Sequence, residues 1–436
     1  MHLGKKYRLA LTVIILSVLS LAARAQDAAG NVFNPYSVYG LGEFNIQGTS
    51  AAKSMAGTGV ALRSPVQANN INPASFSAMV QKAFLFSFGM QGVNNYLQTS
   101  SFRNSHNNFT MNDVSIVFPI TKGLGFGFSV MPYTSVGYKI SYNETDPDFI
   151  ANIGDAQYIY TGGGGINLFK VGFGWEVFKG FSFGANMVYY LGSIERLGQT
   201  IVNAVIPSGQ EFRTTIISNT DQINVANFEI GIQYNIPLKN KGRNLTLGAV
   251  YQPKVSSNIE RTRYIYGYGS TITDSISLEV TKSPLKMPHK FSAGVAYNTH
   301  NLTLTLDYNF QNWSNAFFME AGNGMSTTKA QDVRLGFEIT PNRTDIRYMM
   351  KRWTYRAGVR YNNSYLVRNG NQIKDYAVSV GFGIPLQRGG FSLLNVGGEF
   401  GQMGELKNGM VRNTYVKLYV GFNLFTQGWF VRHKFN

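Results

Sequence analysis

The chain has 436 residues, of which 44% are hydrophobic and 14% are charged, and it contains no cysteine. Charged residues make up about 25% of an average soluble protein, so this composition is poor in charge for a soluble chain. The absence of cysteine excludes a disulfide scaffold, a thiolate zinc site and a cysteine nucleophile. The formal charge of +16 could indicate nucleic-acid binding, but part of it lies in an N-terminal segment that we expect to be removed.

The N-terminus has the three parts of a secretory signal. Basic residues precede an apolar run over 9–22, and Ala-Arg-Ala follows at 23–25. This pattern predicts a signal peptide over residues 1–25, with cleavage before Gln26. The alternative, a membrane anchor, fits less well because the run is shorter than the ~20 residues of a helical span. Removal of the four basic residues of this segment lowers the formal charge from +16 to +12, and we expect no nucleic-acid partner.

From about residue 82, apolar residues occur at every second position. Between Leu302 and Phe310, for example, Leu and aromatic residues alternate with Thr, Asp and Asn. Because successive side chains of a strand point to opposite faces, each such segment has one apolar face and one small or polar face. Fourteen segments of this kind are centred on Phe86, Ile116, Phe126, Val171, Ala185, Ile230, Leu247, Ala293, Leu306, Leu335, Ala357, Val380, Val396 and Val420.

The lengths of the connections between these segments alternate along the chain. Connections after odd-numbered segments are long, such as 190–225 and 252–290, whereas those after even-numbered segments are mostly short, such as 176–180. The connection 340–354 is the one exception, since it follows an even-numbered segment but is long. An even strand number with short periplasmic turns and long outer loops is typical of bacterial outer-membrane barrels. The sequence therefore predicts an all-β fold, a 14-stranded antiparallel transmembrane β-barrel over residues 82–436, with both termini in the periplasm.

The stretch between the signal peptide and the barrel differs from both. Residues 26–81 lack clean alternation and are rich in Gly, Ala, Ser and Asn, with prolines at Pro35, Pro65 and Pro73. The stretch is too polar to face lipid, and it has too few charges for a typical disordered tail. Small, turn-rich sequence of this kind fits a plug that folds inside the lumen. We therefore expect an N-terminal hatch over residues 26–81, with a periplasmic tail as the alternative.

The sequence offers no catalytic constellation. None of the five histidines is spaced with another histidine or a carboxylate as a metal pair would be, and nucleophile-elbow and phosphate-loop motifs are absent. Glu144, Asp146 and Asp148 share one predicted loop, but the Gly and the final Glu of a calcium loop are missing. We therefore predict that the protein is not an enzyme and uses no catalytic residue, cofactor or metal ion. A Ser/His pair buried in a barrel is the alternative that the sequence leaves open.

Charged residues interrupt several of the apolar strand patterns. An Arg or Lys that faces lipid near the bilayer midplane costs about 2–4 kcal/mol, so these side chains are expected to face the lumen. The set comprises Lys170, Glu229, Asp307, Arg334, Glu338, Arg356, Arg360, Glu399 and Lys417. Their default role is structural, as paired charges that hold a plug against the wall. The sharper hypothesis is that cations bind the anionic head group of an amphipathic ligand, with the candidates Arg334, Arg356, Arg360 and Lys170.

Several short motifs occur in a characteristic order. In chain order they are Asn34-Pro35-Tyr36-Ser37, Ala56-Gly57-Thr58-Gly59, Asn72-Pro73-Ala74, the strand patterns 292–297, 304–314 and 356–361, and the terminal 429–432. With these motifs the sequence resembles the FadL/TodX-type outer-membrane transport family. The first and the last of them look typical of its Bacteroidota form.

The resemblance implies a fourteen-stranded barrel around an N-terminal hatch, and it places Gly57, Gly59, Asn72, Pro73 and Ala74 in that hatch. Transport members of the family pass hydrophobic molecules, such as long-chain fatty acids, from an outer groove past the hatch and through a lateral opening in the wall. The resemblance thus implies a channel in the cell outer membrane. Its implied partners are membrane lipid and a hydrophobic, fatty-acid-like small molecule.

Two features of the sequence depart from this family pattern. The segment between Gly59 and Asn72 is more polar than in transport members, and no strongly apolar outer loop marks a capture groove. Relatives of this fold in Bacteroidota also serve as plug or accessory subunits of the type IX secretion translocon. Binding of a large outer-membrane partner is therefore the alternative function. A general hydrophilic porin is a third possibility, which the predicted plug disfavours.

Overall fold

The computed structural model describes residues 34–100, 102–204, 214–239, 242–268, 273–314, 325–387, 389–407 and 409–428. The predicted signal peptide and the terminal motif 429–432 lie outside the described residues and stay predictions.

Fourteen strands form a closed antiparallel wall within the described residues. In chain order they are β1 (Ala83–Gln98), β2 (Arg103–Thr121), β3 (Leu124–Ser135), β4 (Gly154–Phe178), β5 (Phe181–Ala204), β6 (Thr214–Pro237), β7 (Asn244–Gln252), β8 (Lys290–Asn298), β9 (Leu302–Asn312), β10 (Lys329–Ile339), β11 (Thr354–Arg368), β12 (Asn371–Pro385), β13 (Leu393–Met403) and β14 (Arg412–Gln427). Consecutive strands pair, and β14 pairs with β1 to close the ring. The predicted 14-stranded antiparallel barrel is confirmed, with each predicted centre in a different strand.

Further elements do not belong to this ring. They are the helices α1 (Ser50–Lys53) and α2 (Pro147–Asn152), the 3-10 helices Pro35–Val38, Pro73–Ala78 and Met349–Arg352, the short strands Glu43–Phe44, Tyr138–Asn143 and Met325–Thr327, and the hairpin of Val255–Tyr268 with Thr273–Met287. In the described part of the chain, no helix has the length and apolar character needed to cross a bilayer.

The two faces of the wall differ as the alternation predicts. On β12, Val378 and Val380 point outward and are 54% and 53% exposed, while Ser379 between them is 1% exposed. The nine charged residues that the sequence assigns to the lumen lie on the inward face, where their side chains are at most 16% exposed. An outward face this apolar is stable in lipid, and pairing between neighbouring strands satisfies the backbone groups that lipid cannot.

Much of the sequence predicted as long loops is strand. β4, β5 and β6 contain 25, 24 and 24 residues, whereas a transmembrane strand needs about 9–11. These strands extend the wall beyond the bilayer at the end where the long connections lie. The predicted loop 190–225 overlaps β5 and β6, because the apolar alternation fades where lipid no longer covers the outer face. At the opposite end the turns are short, which identifies it as periplasmic.

Residues 34–82, called the N-terminal segment from here on, pack against the inward faces of strands on both sides of the ring. The 3-10 helix Pro73–Ala78 contacts β2 to β6, and α1 contacts β12 to β14. This segment therefore occupies the lumen, and its function as a hatch stays a prediction.

Glycines on the inward face let the N-terminal segment approach the backbone of the wall. A Cβ atom at Gly231 would overlap the Asn72 side chain and the Pro73 ring, and one at Gly358 would overlap the backbone of Met55 and Ala56. The small residues of the strand patterns thus have a packing role, since any larger side chain would push the segment away from the wall.

Replacement of Gly231 by valine should loosen the N-terminal segment, because the new side chain overlaps Asn72 and Pro73. We expect faster limited proteolysis between residues 59 and 82, and a lower thermal unfolding midpoint in detergent. The matched control is Gly398→Val, since a Cβ atom there meets its nearest atoms at 3.6 and 3.7 Å, which is ordinary packing distance. Equal proteolysis of the two variants would contradict this packing.

Candidate functional site

Asn72, Pro73 and Ala74 tie the N-terminal segment to itself and to the wall. The Asn72 side-chain oxygen accepts a hydrogen bond from the Ala74 N–H at 3.0 Å, which caps the 3-10 helix that Pro73 begins. The Asn72 side-chain amide donates to the carbonyl of Val60 at 2.7 Å and to that of Ile232 on β6 at 3.1 Å. Asn72 is fully buried, so its side chain satisfies backbone groups that water does not reach.

Gly57 and Gly59 lie where the N-terminal segment meets two charged residues of the wall. Gly57 has a φ of +76°, a conformation that favours glycine, and its carbonyl accepts a hydrogen bond from the Arg334 guanidinium at 2.8 Å. The N–H groups of Gly59 and Val60 both donate to one Asp307 oxygen, at 2.7 and 3.0 Å. Asp307 and Arg334, which are opposite each other on β9 and β10, therefore each hold the backbone of the segment.

Phe44 connects the N-terminal segment to aromatic side chains of the wall. Its ring centroid lies 5.2 Å from that of Tyr133 on β3, 5.3 Å from that of Trp313 after β9, and 5.1 Å from that of Tyr365 on β11. These are separations of favourable aromatic pairs. Because β3 lies across the ring from β9 and β11, the four side chains, called the aromatic cluster below, bridge the lumen.

A cavity of about 150 Å³ lies beside the aromatic cluster, and all four aromatic side chains line it. Its charged lining consists of four cations and three carboxylates: Lys290, Arg334, Arg360, Lys417, Glu43, Asp332 and Asp375. An apolar cavity of similar volume in another protein binds benzene, so the space suits one aromatic ring or the end of a longer molecule.

Two of the cations predicted to bind a head group, Arg334 and Arg360, line this cavity. Both already have carboxylate partners. Arg334 pairs with Asp332, and Arg360 pairs with Asp375 and, at 3.2 Å, with Glu399. Neither guanidinium is therefore a free charge in the cavity.

The other two predicted cations, Arg356 and Lys170, are absent from the described lining of the cavity. Arg356 pairs with Glu338 at 2.6 Å, and Lys170 pairs with Glu229 at 2.8 Å. Lys170 also donates to the carbonyl of Asn70 in the N-terminal segment at 3.3 Å. Loss of one partner of such a buried pair typically costs about 3–5 kcal/mol, so these contacts stabilise the wall. Binding of a head group by Arg356 or Lys170 stays a prediction.

Lys290 is a cavity cation that the sequence reasoning missed. It begins β8 on the same inward face as Ser292, and it lines the cavity. Among the described residues, the Lys290 ammonium has no ion-pair partner, in contrast to Arg334 and Arg360. Its position two residues before Ser292 continues the inward alternation, but the predicted loop 252–290 ended on it and removed it from the strand.

A second missed cation, Lys53 of α1, lies inside the lumen. It is buried, its ammonium donates to the Gln91 side chain at 3.0 Å, and it lies 5.6 Å from the centroid of the Tyr419 ring. Burial, reinforced by the charge of Lys417, lowers the pKa of Lys53 to about 7, while the Asp113 carboxylate acts in the opposite direction. Lys53 lies in a stretch without strand alternation, so no pattern could have indicated the direction of its side chain.

The pairing between β2 and β3 stops part-way along the wall. Within the described residues it extends no further than the pair Val114–Val130. Asn112 forms a bulge in β2 next to this point, and Pro132 in β3 has no N–H to donate. Beyond the break, β3 pairs with the strand Glu43–Phe44 of the N-terminal segment. We call this break in the wall the seam.

A family model, BamG, matches residues 7–436. The chain belongs to the BamG family. No curated protein matches its sequence. In the described part of this BamG-family protein, no group of three or more Asp, Glu or His side chains is placed to hold a metal ion.

Solved structures of a channel, a transporter and a FadL homologue have the same fold as this BamG-family protein. The CymD monoaromatic hydrocarbon channel is 15% identical, with a TM-score of 0.57 over 89% of this chain and 100% of the other. A FadL homologue of Pseudomonas aeruginosa is 12% identical, with a TM-score of 0.56 over 87% and 98%. The toluene transporter TbuX of Ralstonia pickettii is 13% identical, with a TM-score of 0.54 over 87% and 98%. At these identities the matches show the fold.

Family and fold place this BamG-family protein in the outer membrane. The FadL-like resemblance is confirmed at the level of fold, and the Bacteroidota form stays a prediction. None of these matches supports the alternative function as a subunit of the type IX translocon.

Replacement of Asp307 by alanine should release the backbone of Gly59 and Val60, because two buried N–H groups lose their acceptor. A buried donor left without a partner costs about 1–3 kcal/mol. Hydrogen–deuterium exchange of a peptide spanning residues 57–62 should therefore accelerate by about tenfold or more. The control Asp307→Asn keeps an acceptor oxygen and should exchange more slowly than the alanine variant. Wild-type exchange in Asp307→Ala would show that this contact does not hold the segment.

Proposed function

We propose that this protein is a non-enzymatic channel for the uptake of hydrophobic or amphipathic small molecules across the outer membrane. The observation that carries the proposal is the cavity in which the aromatic cluster and the unpaired Lys290 ammonium line one space. The names of two structures with the same fold, a monoaromatic hydrocarbon channel and a toluene transporter, support a hydrophobic substrate.

An anionic amphipath, such as a fatty acid, suits the charges of this cavity. Asp332 and Asp375 are paired with arginines, and Glu43 accepts a hydrogen bond from the Asn34 side chain. Among the described residues Lys290 has no ion-pair partner, so it is left to attract an anion. The aromatic side chains that line the same cavity provide an apolar surface for the carbons that follow a carboxylate. A cavity of about 150 Å³ holds only the head-group end of a long chain, so the remainder of the ligand has to extend away from it.

The seam supplies a lateral route for that remainder. Phe44 belongs both to the strand that pairs with β3 at the seam and to the aromatic cluster beside the cavity. Displacement of this short strand, backbone and side chain together, would therefore open the cavity and uncover the seam. A ligand that enters from outside would then leave through the wall without crossing the part of the N-terminal segment that follows Phe44.

The N-terminal segment acts as the barrier to ions in this proposal. Deletion of residues 26–81 should raise the conductance of the protein in a planar bilayer, because the segment packs against both sides of the lumen. The full-length protein is the reference, and the Gly231→Val variant should show intermediate conductance. Equal conductance of the deletion variant and the full-length protein would mean that the segment is not the barrier.

Replacement of Lys290 by alanine should weaken the binding of dodecanoate by about tenfold or more, the effect expected for loss of a charged hydrogen-bond partner. Binding of 1-dodecanol, which has the same chain and no charge, should change little. The control Lys290→Arg keeps the positive charge and should retain binding. Native mass spectrometry and calorimetry of the purified barrel measure these affinities. If neither compound binds the wild type and no lipid co-purifies with it, the proposed channel function is wrong.

A further inference from the structure

The connection between β10 and β11 is the long exception among the periplasmic turns. We call residues 341–353 the basic turn. The Asp345 carboxylate accepts hydrogen bonds from the N–H groups of Arg347 at 2.9 Å and Tyr348 at 2.7 Å. A 3-10 helix, Met349–Arg352, follows directly. The turn therefore has a defined conformation that presents its side chains in fixed directions.

The end of the basic turn lies against the lipid-facing surface of the barrel. Tyr355 is on the outward face of β11, since Thr354 and Arg356 beside it are buried on the inward face, and its hydroxyl donates to the Met350 carbonyl at 2.9 Å. The ring of Trp353 lies 6.2 Å from that of Phe382, an outward residue of β12. Since the short turns are periplasmic, this position is level with the inner leaflet.

The exposed side chains of the basic turn combine apolar and cationic character. Ile346 and Met350 are 76% and 63% exposed, and Tyr348 and Met349 are also exposed. The turn contains four cations and one carboxylate: Arg343, Arg347, Lys351, Arg352 and Asp345. Apolar residues with flanking Lys and Arg are typical of segments that lie in the interface of an anionic membrane.

Two buried hydrogen-bond donors of the basic turn lack an acceptor among the described residues. They are Arg352 Nε and Trp353 Nε1, which are neighbours in sequence. Buried donors of this kind are rare in folded proteins, and a Trp N–H near the membrane interface usually has a polar partner. Phosphate oxygens match both, because the guanidinium fork binds phosphate well.

We propose that the basic turn binds the phosphate group of an anionic phospholipid in the inner leaflet. Arg347, Lys351 and Arg352 attract the head group, Arg352 and Trp353 donate to its oxygens, and Met349 and Met350 contact the start of the acyl chains. Lipid is the occupant because the turn is continuous with the lipid-facing wall and because its charge is complementary to an anionic head group. This site is separate from the cavity in the lumen.

Native mass spectrometry of the full-length protein with phosphatidylglycerol or phosphatidylcholine tests the proposal. The wild type should retain phosphatidylglycerol in preference to phosphatidylcholine. The triple variant Arg347→Gln, Lys351→Gln, Arg352→Gln should bind phosphatidylglycerol at least about tenfold more weakly. The matched control, Lys122→Gln, Lys239→Gln, Arg243→Gln, removes three exposed cations at the same end of the barrel and should bind as the wild type does.

A second variant keeps the test informative if the triple variant folds poorly. Trp353→Phe retains a ring against Phe382 but removes the N–H, so it should weaken phosphatidylglycerol binding several-fold without changing the heat-induced mobility shift of the folded barrel on gels. Three results would overturn the proposal. They are no lipid preference in the wild type, an equal loss in the control triple variant, and displacement of the lipid by millimolar inorganic phosphate. A protein cross-linked at Met350 in cells, without any lipid preference, would assign the turn to a protein partner instead.

Discussion

Lipid cannot satisfy backbone hydrogen bonds, and this constraint determines the rest of the structure. It closes the fourteen strands into a ring, with β14 paired to β1, and so creates an inward face that has to be filled or hydrated. The N-terminal segment fills it. Asn72 and Asp307, which are both buried, then satisfy backbone groups of that segment inside the lumen, so the same constraint applies a second time to the N-terminal segment.

At the seam, the backbone groups of the wall are satisfied in a different way. Pro132 cannot donate a hydrogen bond across it, and the bulge at Asn112 shifts the register of the neighbouring strand. An uncovered strand edge in a bilayer would leave unpaired polar groups. The strand Glu43–Phe44 pairs with β3 there, so the N-terminal segment completes the wall as well as filling the lumen. A cover supplied by a separate segment can move without breaking the ring, so the lateral route proposed above leaves the pairing of β14 with β1 intact.

The parts of the fold that could be predicted from the sequence are those in which contact with lipid imposes a pattern of apolar residues. Lipid fixes one face of each strand, so the alternation around Leu302–Phe310 locates β9, and the cost of a charge in lipid places Asp307 and Arg356 inward. Ion-pair partners could not be predicted in this way, because Arg356 meets Glu338 through the register of two strands. The aromatic cluster was missed for a related reason: Phe44 lies in a stretch without alternation, and its neighbours Tyr133 and Tyr365 are far apart in sequence. Lys290 was missed because a strand boundary was placed at its position.

The distribution of charge separates structural cations from those free to bind. Inside the lumen, Lys170, Arg356 and Arg360 are each paired with a carboxylate, so their charge is balanced within the wall. These ion pairs connect different strands of the wall, and Lys170 also contacts the N-terminal segment. Lys290 stands apart because it lines a cavity without such a partner. In the periplasmic turn after β10, four cations have one carboxylate between them. Among the described residues, a cation without an ion-pair partner thus shares a site with an apolar surface in both places, which is formed by aromatic rings in the lumen and by the lipid-facing wall outside. In both proposals the ligand is therefore a molecule with an anionic head and an apolar tail.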